Sequence, residues 1–355
     1  MRDFHFTQLA PVCPRCRAAS GTGHRLEALT QSVRQDGRLM DGILACTNAG
    51  CRQEFPVIGG LPALVPDVRA FLGDAMFHFL SRDDISAEVE SLLGDAAGAG
   101  SGFDAVRQQQ SSYGWDHWSD LDPDDQEGGG GAVLAGLEAG LNLLPEAPAG
   151  PVLDLGCATG RTSFHLADRL GLPVVGVDLN VPLIRIGQRV LLDGVVRYPL
   201  RRGGVVYDRR EFPVTLPAAA QVDFWVGDAL SLPFADASFG LVSALNLIEC
   251  LSSPKDGLAE IARVLKPGGA AVIACPFDWS AAVTPMESWI GGHSQRGSLK
   301  GSPEAVLDKL LAEGGLGLSP LAPGRDVAWR VRLHDRATVD YQTHVVALRK
   351  TEVAG

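Results

Sequence analysis

Acidic residues follow three apolar runs in the middle of the chain, and two glycines follow the first of these runs. An apolar run, a glycine loop, a helical pattern and a second apolar run ending in an acid come in that order. This order is typical of a doubly wound sheet that presents a nucleoside-like cofactor at its carboxyl edge. Glycines let the backbone approach a ligand, and an acid after the second strand can accept hydrogen bonds from both ribose hydroxyls. The residues concerned are Asp154, Gly156, Gly160, Asp178, Asp228 and Ala229.

The spacing of the glycines separates two classes of cofactor. A dinucleotide-binding loop reads G-x-G-x-x-G, with its close glycine pair held against a pyrophosphate. Here the loop Asp154–Gly160 begins with an acid, which would repel phosphate. The loop resembles the first motif of class I S-adenosylmethionine (SAM) methyltransferases, which implies that it cradles the methionine moiety of SAM. The resemblance also implies that Asp178 binds ribose and that Asp228, with Ala229 beside it, lies near adenine.

Four cysteines near the N-terminus form two pairs, Cys13 with Cys16 and Cys46 with Cys51. Two such pairs, about thirty residues apart, predict a zinc ribbon with four thiolate ligands and a structural role. The second pair has four intervening residues instead of two, a spacing still within reach of one zinc ion. So short a segment has little core of its own, so metal binding would supply much of its folding energy. The alternative is four free thiols on a small β module.

The segment after the second cysteine pair, Glu54–Pro66, is rich in proline, glycine and aliphatic residues. It resembles the tail of the small zinc-ribbon activator proteins that bind tRNA- and protein-modifying methyltransferases. The resemblance covers roughly residues 10 to 67. It implies that the ribbon is a docking or stabilising module, with a protein partner bound through it. The other three cysteines, Cys157, Cys250 and Cys275, are predicted to be small core residues.

The rest of the pattern must supply the elements that position these residues. From residue 132 onward, apolar runs alternate with helical patterns, which predicts an α/β domain. The predicted fold is a Rossmann-like class I methyltransferase with a seven-stranded sheet and a small N-terminal β zinc-ribbon domain. The predicted strands are 151–154, 173–178, 222–226, 239–245, 270–275 and 344–348.

Three segments follow from this pattern. Residues 1–67 are the predicted zinc-ribbon domain, 68–131 a helical, acidic and glycine-rich linker, and 132–355 the methyltransferase domain. Within the linker, Tyr113–Trp118 is dense in aromatic residues although the whole chain has few. This segment could be a lid over the cofactor crevice, or it could staple the linker to the core.

The methyl acceptor should lie where the carboxyl edge of the sheet faces the methyl group, because in-line transfer requires the nucleophile about 3 Å from the methyl carbon. After the fourth strand stand Asn246 and Glu249, without the Asn-Pro-Pro-aromatic signature of adenine and glutamine methyltransferases. Asn246 could hold the acceptor or the methionine end of SAM. Glu249 could orient or deprotonate the acceptor. Alternatively, Glu249 begins the next helix and only favours its N-terminal dipole.

The loop after the fifth strand contains Trp279, Glu287 and Trp289, which are candidate substrate-binding residues. It resembles the corresponding loop in the C-terminal methyltransferase domain of ovothiol-biosynthesis enzymes, which methylates an imidazole nitrogen of 4-mercaptohistidine. The resemblance covers most of 150–350 and implies a SAM-dependent N-methyltransferase for a small imidazole or thiol-imidazole. The ribbon and the missing sulfur-inserting domain depart from that family. Both tryptophans could stack on a small ring, and one of five arginines in 196–210 could bind a carboxylate.

The charge and the lengths of the apolar stretches indicate which kinds of partner the chain can bind. The net charge of −11 opposes nucleic-acid binding, which depends on clustered Lys and Arg. A small-molecule substrate is therefore favoured over an rRNA or tRNA methyltransferase whose ribbon grips RNA. A SAM-binding scaffold that docks a partner is the non-enzymatic alternative. The apolar stretches are too short to span a bilayer and the first residues lack a signal-peptide pattern, which predicts a cytoplasmic protein without a membrane partner.

Overall fold

In the computed structural model, the chain divides into two compact units. The N-terminal unit comprises Met1–Gln109 and Arg201–Arg209, and the C-terminal unit comprises Gln110–Leu200 and Arg210–Gly355. The structure describes residues 1, 3, 6–7, 10–29, 33–35, 37–58, 60–80, 82, 85–125 and 128–351. The domain boundaries expected from the sequence, after residues 67 and 131, stay predictions.

The N-terminal unit contains a small antiparallel sheet. Its strands are β1 Leu26–Ala28, β2 Val33–Gln35, β3 Arg38–Cys46, β4 Glu54–Ile58 and β5 Leu61–Pro62. They pair in the order β1-β3-β4-β5, and β2 also pairs with β3. Leu39, Leu44 and Phe55 on β3 and β4 are fully buried, which places the core of this unit against the two central strands. The helices are α1 Pro14–Ser20, α2 Val68–Leu80, α3 Ala87–Ala97 and α4 Gly102–Trp118, and α4 contains the boundary between the units.

The C-terminal unit is built on a larger mixed sheet, with helices in three of the four connections between its parallel strands. The strands of this sheet are β6 Val152–Leu155, β7 Val174–Asp178, β10 Val222–Val226, β11 Phe239–Leu245, β12 Leu265–Cys275, β13 Leu318–Pro320, β14 Arg325–His334 and β15 Ala337–Lys350. Between β7 and β10, β8 Val195–Gly203 and β9 Val206–Pro213 form a separate hairpin. The helices are α5 Ala132–Leu141, α6 Arg161–Leu170, α7 Val181–Asp193, α8 Pro254–Val264 and α9 Pro303–Glu313.

The order of strands in this sheet is β10-β7-β6-β11-β12-β15-β13, with β14 also on β15. The first five are parallel, and β15 is antiparallel to β12. β13 pairs with residues 348–350 and β14 with 337–345 on the edge of β15 that does not face β12. Eight strands therefore occupy seven positions, which confirms the Rossmann-like methyltransferase fold predicted from the sequence.

Local sequence explains how the elements near the candidate site begin and end. Asn180 caps α7, because its side chain accepts a hydrogen bond from the backbone N–H of Leu183. Gly171 and Gly194 end α6 and α7 with φ of 66° each, a conformation that glycine adopts without strain. Helix α6 thus stops where the chain turns back to β7, and helix α7 stops where the chain enters the β8–β9 hairpin.

Within the described part of the chain, no helix is both long and apolar enough to cross a membrane.

Candidate functional site

The loop between β6 and α6 requires glycine at both predicted positions. Gly156 and Gly160 have φ of 74° and 84°, in the left-handed region. A Cβ at Gly160 would lie 2.4 Å from the ring of Phe224, and one at Gly156 would lie 3.0 Å from Leu247. The Gly156 N–H donates to the carbonyl of Val177 at 2.7 Å, which holds the loop against β7. The backbone of this loop is therefore closely packed at the carboxyl edge of the sheet.

Asp154 lies beneath this loop and is buried. Its carboxylate accepts hydrogen bonds from the hydroxyls of Thr162 and Ser163, at 2.6 Å each, and of Ser243 at 3.1 Å. Burial raises the pKa of Asp154, and the three hydroxyls lower it. The carboxylate therefore joins β6 to the first turn of α6 and to β11. A contact of Asp154 with the cofactor stays a prediction.

Asp178 ends β7 beside the same loop. One carboxylate oxygen accepts from the N–H of Ala158 at 2.9 Å, and the other accepts from the N–H of Asn180 at 2.8 Å. Burial raises the pKa of Asp178, and these backbone donors lower it. A carboxylate offers about four lone-pair sites, so the backbone donors around Asp178 leave room for a further donor.

Asp228 and Ala229 follow β10, whose last residue, Val226, is paired with Asp178. Asp228 is exposed, and its side chain accepts from the N–H of Leu230 at 2.9 Å. Ala229 is buried in the core of the C-terminal unit. The structure thus brings the ends of β6, β7 and β10 together, as the sequence predicted for adjacent parallel strands.

The end of α4 is attached to the glycine loop. Trp118 is fully buried and its indole N–H donates to the hydroxyl of Thr159 at 3.1 Å. The guanidinium of Arg161 pairs with Asp120 at 2.9 Å. The sequence left Tyr113–Trp118 as either a lid or a staple, and Trp118 acts as a staple to the C-terminal unit.

Tyr113, on the same helix, differs from the buried Trp118 because the residue is 38% exposed. The pKa of the Tyr113 hydroxyl is raised, mainly because the hydroxyl is shielded from water. The nearby acidic groups of Cys250, Glu249 and Asp178 raise this pKa further. Tyr113 therefore lies in the electrostatic field of the candidate site. A lid role for this residue stays a prediction.

Asn246 follows β11 with φ of 48°, in the left-handed region, and its N–H donates to the carbonyl of Ala274 at 2.8 Å. Its side-chain oxygen is buried and has no hydrogen-bond partner within the described residues. A buried acceptor without a donor is costly, so a ligand that donates here would relieve that cost. The strained backbone and the unpartnered oxygen mark Asn246 as a candidate ligand-binding residue.

Glu249 lies in a short 3-10 turn, Ile248–Cys250, and is 7% exposed. Its carboxylate accepts from the thiol of Cys275 at 3.2 Å. Burial raises the pKa of Glu249 to about 7. Helix α8 begins only at Pro254, so the alternative that Glu249 opens the next helix and serves its dipole is wrong.

The two tryptophans of the loop after β12 meet in the folded protein. The rings of Trp279 and Trp289 are nearly parallel, with an interplanar angle of 11° and centroids 6.1 Å apart. Trp289 donates its indole N–H to the carbonyl of Thr284 at 2.8 Å. The indole N–H of Trp279 is buried and lacks a partner within the described residues. Glu287, the third candidate of this loop, is in an exposed turn.

The arginines of the hairpin β8–β9 do not supply the free guanidinium that the sequence suggested. Each is held by groups of the chain itself, which leaves no support for a substrate carboxylate at this position. The pairs are Arg197 with Glu211, Arg201 with Gln108, Arg202 with Asp208, Arg209 with Glu90 and Arg210 with Asp122.

The predicted metal ligands come together in the N-terminal unit. The sulfurs of Cys13, Cys16, Cys46 and Cys51 all lie within 4.8 Å of one another. Two of the sulfur–sulfur distances are 3.9 Å and 3.8 Å. Zn–S bonds of about 2.3 Å in a tetrahedron place sulfurs about 3.8 Å apart, so the cluster has the dimensions of a four-thiolate zinc site.

The long spacing of the second pair is accommodated by a turn. The side chain of Asn48 accepts from the N–H of Gly50 at 2.9 Å, and its carbonyl accepts from the N–H of Cys51 at 2.9 Å. These bonds fold the four intervening residues back so that Cys51 reaches Cys13. Of the other three cysteines, Cys157 and Cys275 are buried as predicted, but Cys250 is exposed, so the prediction that it is a core residue was wrong.

Sequence reasoning missed two partners of Glu249. Cys275 was predicted to be a core residue only, and Thr284 was not among the candidate residues. Thr284 is fully buried, and its hydroxyl lies 2.9 Å from the carbonyl of Glu249. The two residues are thirty-five positions apart, so spacing along the chain carried no signal for this contact.

Residues 153–273 match the family model described as a methyltransferase domain. A demethylmenaquinone methyltransferase of Renibacterium salmoninarum is 35% identical over 127 residues, 36% of this chain and 41% of that protein. A norajmaline N-methyltransferase of Rauvolfia serpentina is 29% identical over 122 residues, 34% of each chain. A solved SAM-dependent methyltransferase of Methanosarcina mazei, 20% identical, covers 60% of this chain and 97% of its own at a TM-score of 0.41.

The family match covers residues 153–273 only, and together with the order of the strands it assigns that region the fold of a methyltransferase domain. The likeness to the solved structure is too low to add to this assignment. The chain spans less than half the length of the two curated relatives. The matched region contains the predicted cofactor residues, Asn246 and Glu249, but it ends before Trp279 and excludes the cysteine cluster.

Proposed function

We propose that this protein is a SAM-dependent N-methyltransferase whose acceptor is a small aromatic molecule of the imidazole or thiol-imidazole class. The observation that carries the proposal is the parallel pair of indoles, Trp279 and Trp289, joined through Thr284 to the buried Glu249. Flat aromatic surfaces bind a planar ring, and a buried carboxyl beside them can hold a ring proton.

The residues at the carboxyl edge fit the cofactor. Asp178 has lone pairs left for the ribose hydroxyls, and the glycine loop is bonded to this acid at the same edge of the sheet. The exposed Asp228, with Ala229, would lie at the adenine end. Asp154 would contribute to SAM binding indirectly, because its hydrogen bonds fix the conformation of the glycine loop. SAM supplies the methyl group when bound.

Acceptor chemistry is assigned to Glu249 and its neighbours. An imidazole nitrogen that gains a methyl group leaves a cation, and the proton on the other ring nitrogen must then be lost. Glu249, with a pKa of about 7, can take that proton near neutral pH. The unpartnered oxygen of Asn246 would accept from an N–H of the ligand, and the unpartnered indole N–H of Trp279 would donate to a lone pair of the acceptor.

One relative is named an N-methyltransferase and another a demethylmenaquinone methyltransferase. These names support small molecules as acceptors, and the first supports nitrogen as the acceptor atom. The paired arginines of the hairpin and the net charge of −11 count against an RNA substrate.

The four-cysteine cluster would hold a structural zinc ion. Four thiolates fill a tetrahedral site and leave no open position for a substrate. We assign the N-terminal unit a stabilising role for its own fold and a docking role toward a protein partner. A chelation experiment separates the structural role from a catalytic one. The protein is treated with a chelator and dialysed, and its metal content and methyl-transfer activity are then measured.

The proposal is tested by incubating the full chain with methyl-labelled SAM and two acceptor pools. One pool contains histidine, 4-mercaptohistidine and related imidazoles, and the other is total RNA. Label on a ring nitrogen of a small imidazole is the expected result. Label in RNA, with RNA affinity that falls steeply as salt increases, would overturn it in favour of an RNA methyltransferase. Full biological activity of an Asp178→Ala variant that no longer binds SAM would instead indicate a scaffold.

A further inference from the structure

Thr284 lies at the crossing of the two segments that carry the candidate base and the aromatic platform. It belongs to the loop after β12, and its side chain is fully buried. Its hydroxyl oxygen is 2.9 Å from the carbonyl of Glu249 and 2.7 Å from the carbonyl of Leu251. Its own carbonyl accepts from the indole N–H of Trp289 at 2.8 Å. One residue therefore contacts the Glu249 turn and one ring of the tryptophan pair.

This contact matters because neither segment has much regular structure of its own. Glu249 is in a three-residue 3-10 turn, and residues 276–302 contain one further 3-10 turn, Met286–Ser288. Segments without a helix or strand ladder take their shape from side-chain bonds to the backbone. The hydroxyl of Thr284 has a single proton, so it donates to one of the two carbonyls at a time. Because both carbonyls lie within hydrogen-bond distance, this one hydroxyl holds the turn that carries Glu249.

The Glu249 side chain is fixed independently. The thiol of Cys275 lies 3.2 Å from its carboxylate, and the N–H of Phe277 donates to the same sulfur at 3.3 Å. Cys275 thus orients the carboxyl group, whereas Thr284 holds the backbone that carries it. The second contact of Thr284, with Trp289, has no counterpart at Cys275.

We propose that Thr284 is a positioning residue that keeps Glu249 and the Trp279–Trp289 pair in one fixed arrangement, so that base and platform meet the same acceptor. The inference rests on the proposed N-methyltransferase function. It assigns no contact between Thr284 and the substrate. Its hydroxyl acts on Glu249 and its carbonyl acts on Trp289.

The chain offers a matched control for this proposal. Thr343 on β15 is also fully buried, but its hydroxyl has no hydrogen-bond partner within the described residues. Thr→Val at either position removes the same hydroxyl and keeps the same shape. Only the change at position 284 removes a bond to the Glu249 turn.

The experiment compares Thr284→Val, Thr284→Ser and Thr343→Val in the full chain. For Thr284→Val we expect kcat for the acceptor to fall by about ten- to a hundredfold, since small misplacements of reacting groups have effects of that size. SAM affinity should stay within about twofold, because the bond lost is not in the cofactor loop. Thr284→Ser should recover most of kcat, and Thr343→Val should match the wild type.

Fluorine NMR of fluorotryptophan-labelled protein supplies a readout that does not need turnover. Trp→Phe variants assign the resonances of Trp279 and Trp289. Thr284→Val should shift or broaden both, and Thr343→Val should leave them unchanged. Wild-type kcat and unshifted resonances in Thr284→Val would overturn the proposal, as would equal losses in the two valine variants.

The two hypotheses can fail separately. A wild-type protein that methylates no imidazole overturns the proposed function, whereas the NMR comparison still decides whether Thr284 couples the two segments. If Thr284→Val does not fold, Thr284→Ala removes the hydroxyl bond and Trp289→Phe removes the bond to the Thr284 carbonyl, so that the two bonds are tested one at a time. Trp289→Phe keeps an aromatic, though smaller, ring and removes the indole N–H that donates to Thr284. An unchanged Trp279 resonance and unchanged kcat in that variant would count against the coupling.

Discussion

The carboxylate of Asp178 accepts a hydrogen bond at 2.9 Å from the backbone N–H of Ala158, so the acid that ends β7 is fixed directly to the glycine loop after β6. Ala158 has φ of 47°, an unusual conformation for alanine, which aims its N–H at this acid. Acid and loop are therefore held together at one edge of the sheet, and the proposed function assigns both to the cofactor.

We predict that Asp178→Asn weakens SAM binding by about ten- to a hundredfold, because hydrogen bonds to a charged group contribute about 1.5–3 kcal/mol. The amide keeps the size of the carboxyl but cannot accept from Ala158 and the ribose in the same way. Isothermal titration with SAM measures the change. Asp168→Asn, at an exposed position of α6, is the control, and equal affinity of the two variants would exclude Asp178 from the cofactor site.

A second prediction concerns the packing of the loop. Gly160→Ala would place a methyl group 2.4 Å from the Phe224 ring at a φ of 84°. Overpacking of this kind costs about 1–3 kcal/mol, in addition to the backbone strain. Gly171→Ala has a similar φ of 66° but no heavy atom within 4 Å, so it should cost only about 1 kcal/mol. Urea unfolding measures the loss of unfolding free energy in each variant. Equal losses in the two variants would show that packing against Phe224 is unimportant.

The pH dependence of the reaction should report Glu249. A base must be deprotonated, and the pKa of Glu249 is raised to about 7. We therefore expect kcat/KM to rise about tenfold per pH unit below that value and to level off above it. Glu249→Gln should lose this limb and about two or more orders of magnitude in rate at high pH. A profile of kcat/KM against pH that is the same in both proteins would remove Glu249 from the chemistry.

The same pKa predicts an effect on stability. Because the folded state disfavours the Glu249 carboxylate, the unfolded chain releases this proton first as the pH rises from the ordinary value of 4.5 toward 7. Stability from this group is therefore present below the unfolded pKa and is lost as the pH approaches the folded pKa. Relative to Glu249→Gln, the wild type should lose about 3 kcal/mol of unfolding free energy between about pH 4 and pH 8. If the unfolding free energies of the wild type and of Glu249→Gln changed equally with pH across this range, the raised pKa would be contradicted.

The cysteine cluster predicts a metal content. Purified protein should contain about one zinc ion per chain, and Cys46→Ser should lose it together with the thermal stability of the N-terminal unit. Cys250→Ser changes an exposed cysteine outside the cluster and is the control. Elemental analysis and calorimetry measure both effects. A metal-free protein whose unfolding is unchanged by chelator would show that the four thiols are free.

Some of the site could be read from the sequence because it depends on local chemistry. Gly156 and Gly160 follow from the turn between a strand and a helix, where the backbone enters the left-handed region. Asp178 follows from the end of an apolar run, since parallel strands end at one edge of the sheet. The cysteine spacing likewise predicted a cluster, because Cys13 and Cys16 lie at the start of α1 and Cys46 and Cys51 flank a short turn.

Other features were settled only by contacts between distant segments. The hairpin arginines looked available in sequence but are each paired in the fold. The tryptophan pair forms within one loop that has little regular structure, and Thr284 joins that loop to the Glu249 turn. No periodicity in the sequence encodes either contact.

The sequence by itself thus determined the strand–loop–helix units, their glycines and acids, and the cysteine pairs, because backbone conformation and strand direction are local properties. Tertiary structure alone decided that Glu249 is buried beside Cys275 with a raised pKa. It also decided that Trp279 and Trp289 lie parallel. Desolvation and side-chain packing depend on everything that surrounds a residue, and only the folded chain brings those surroundings together.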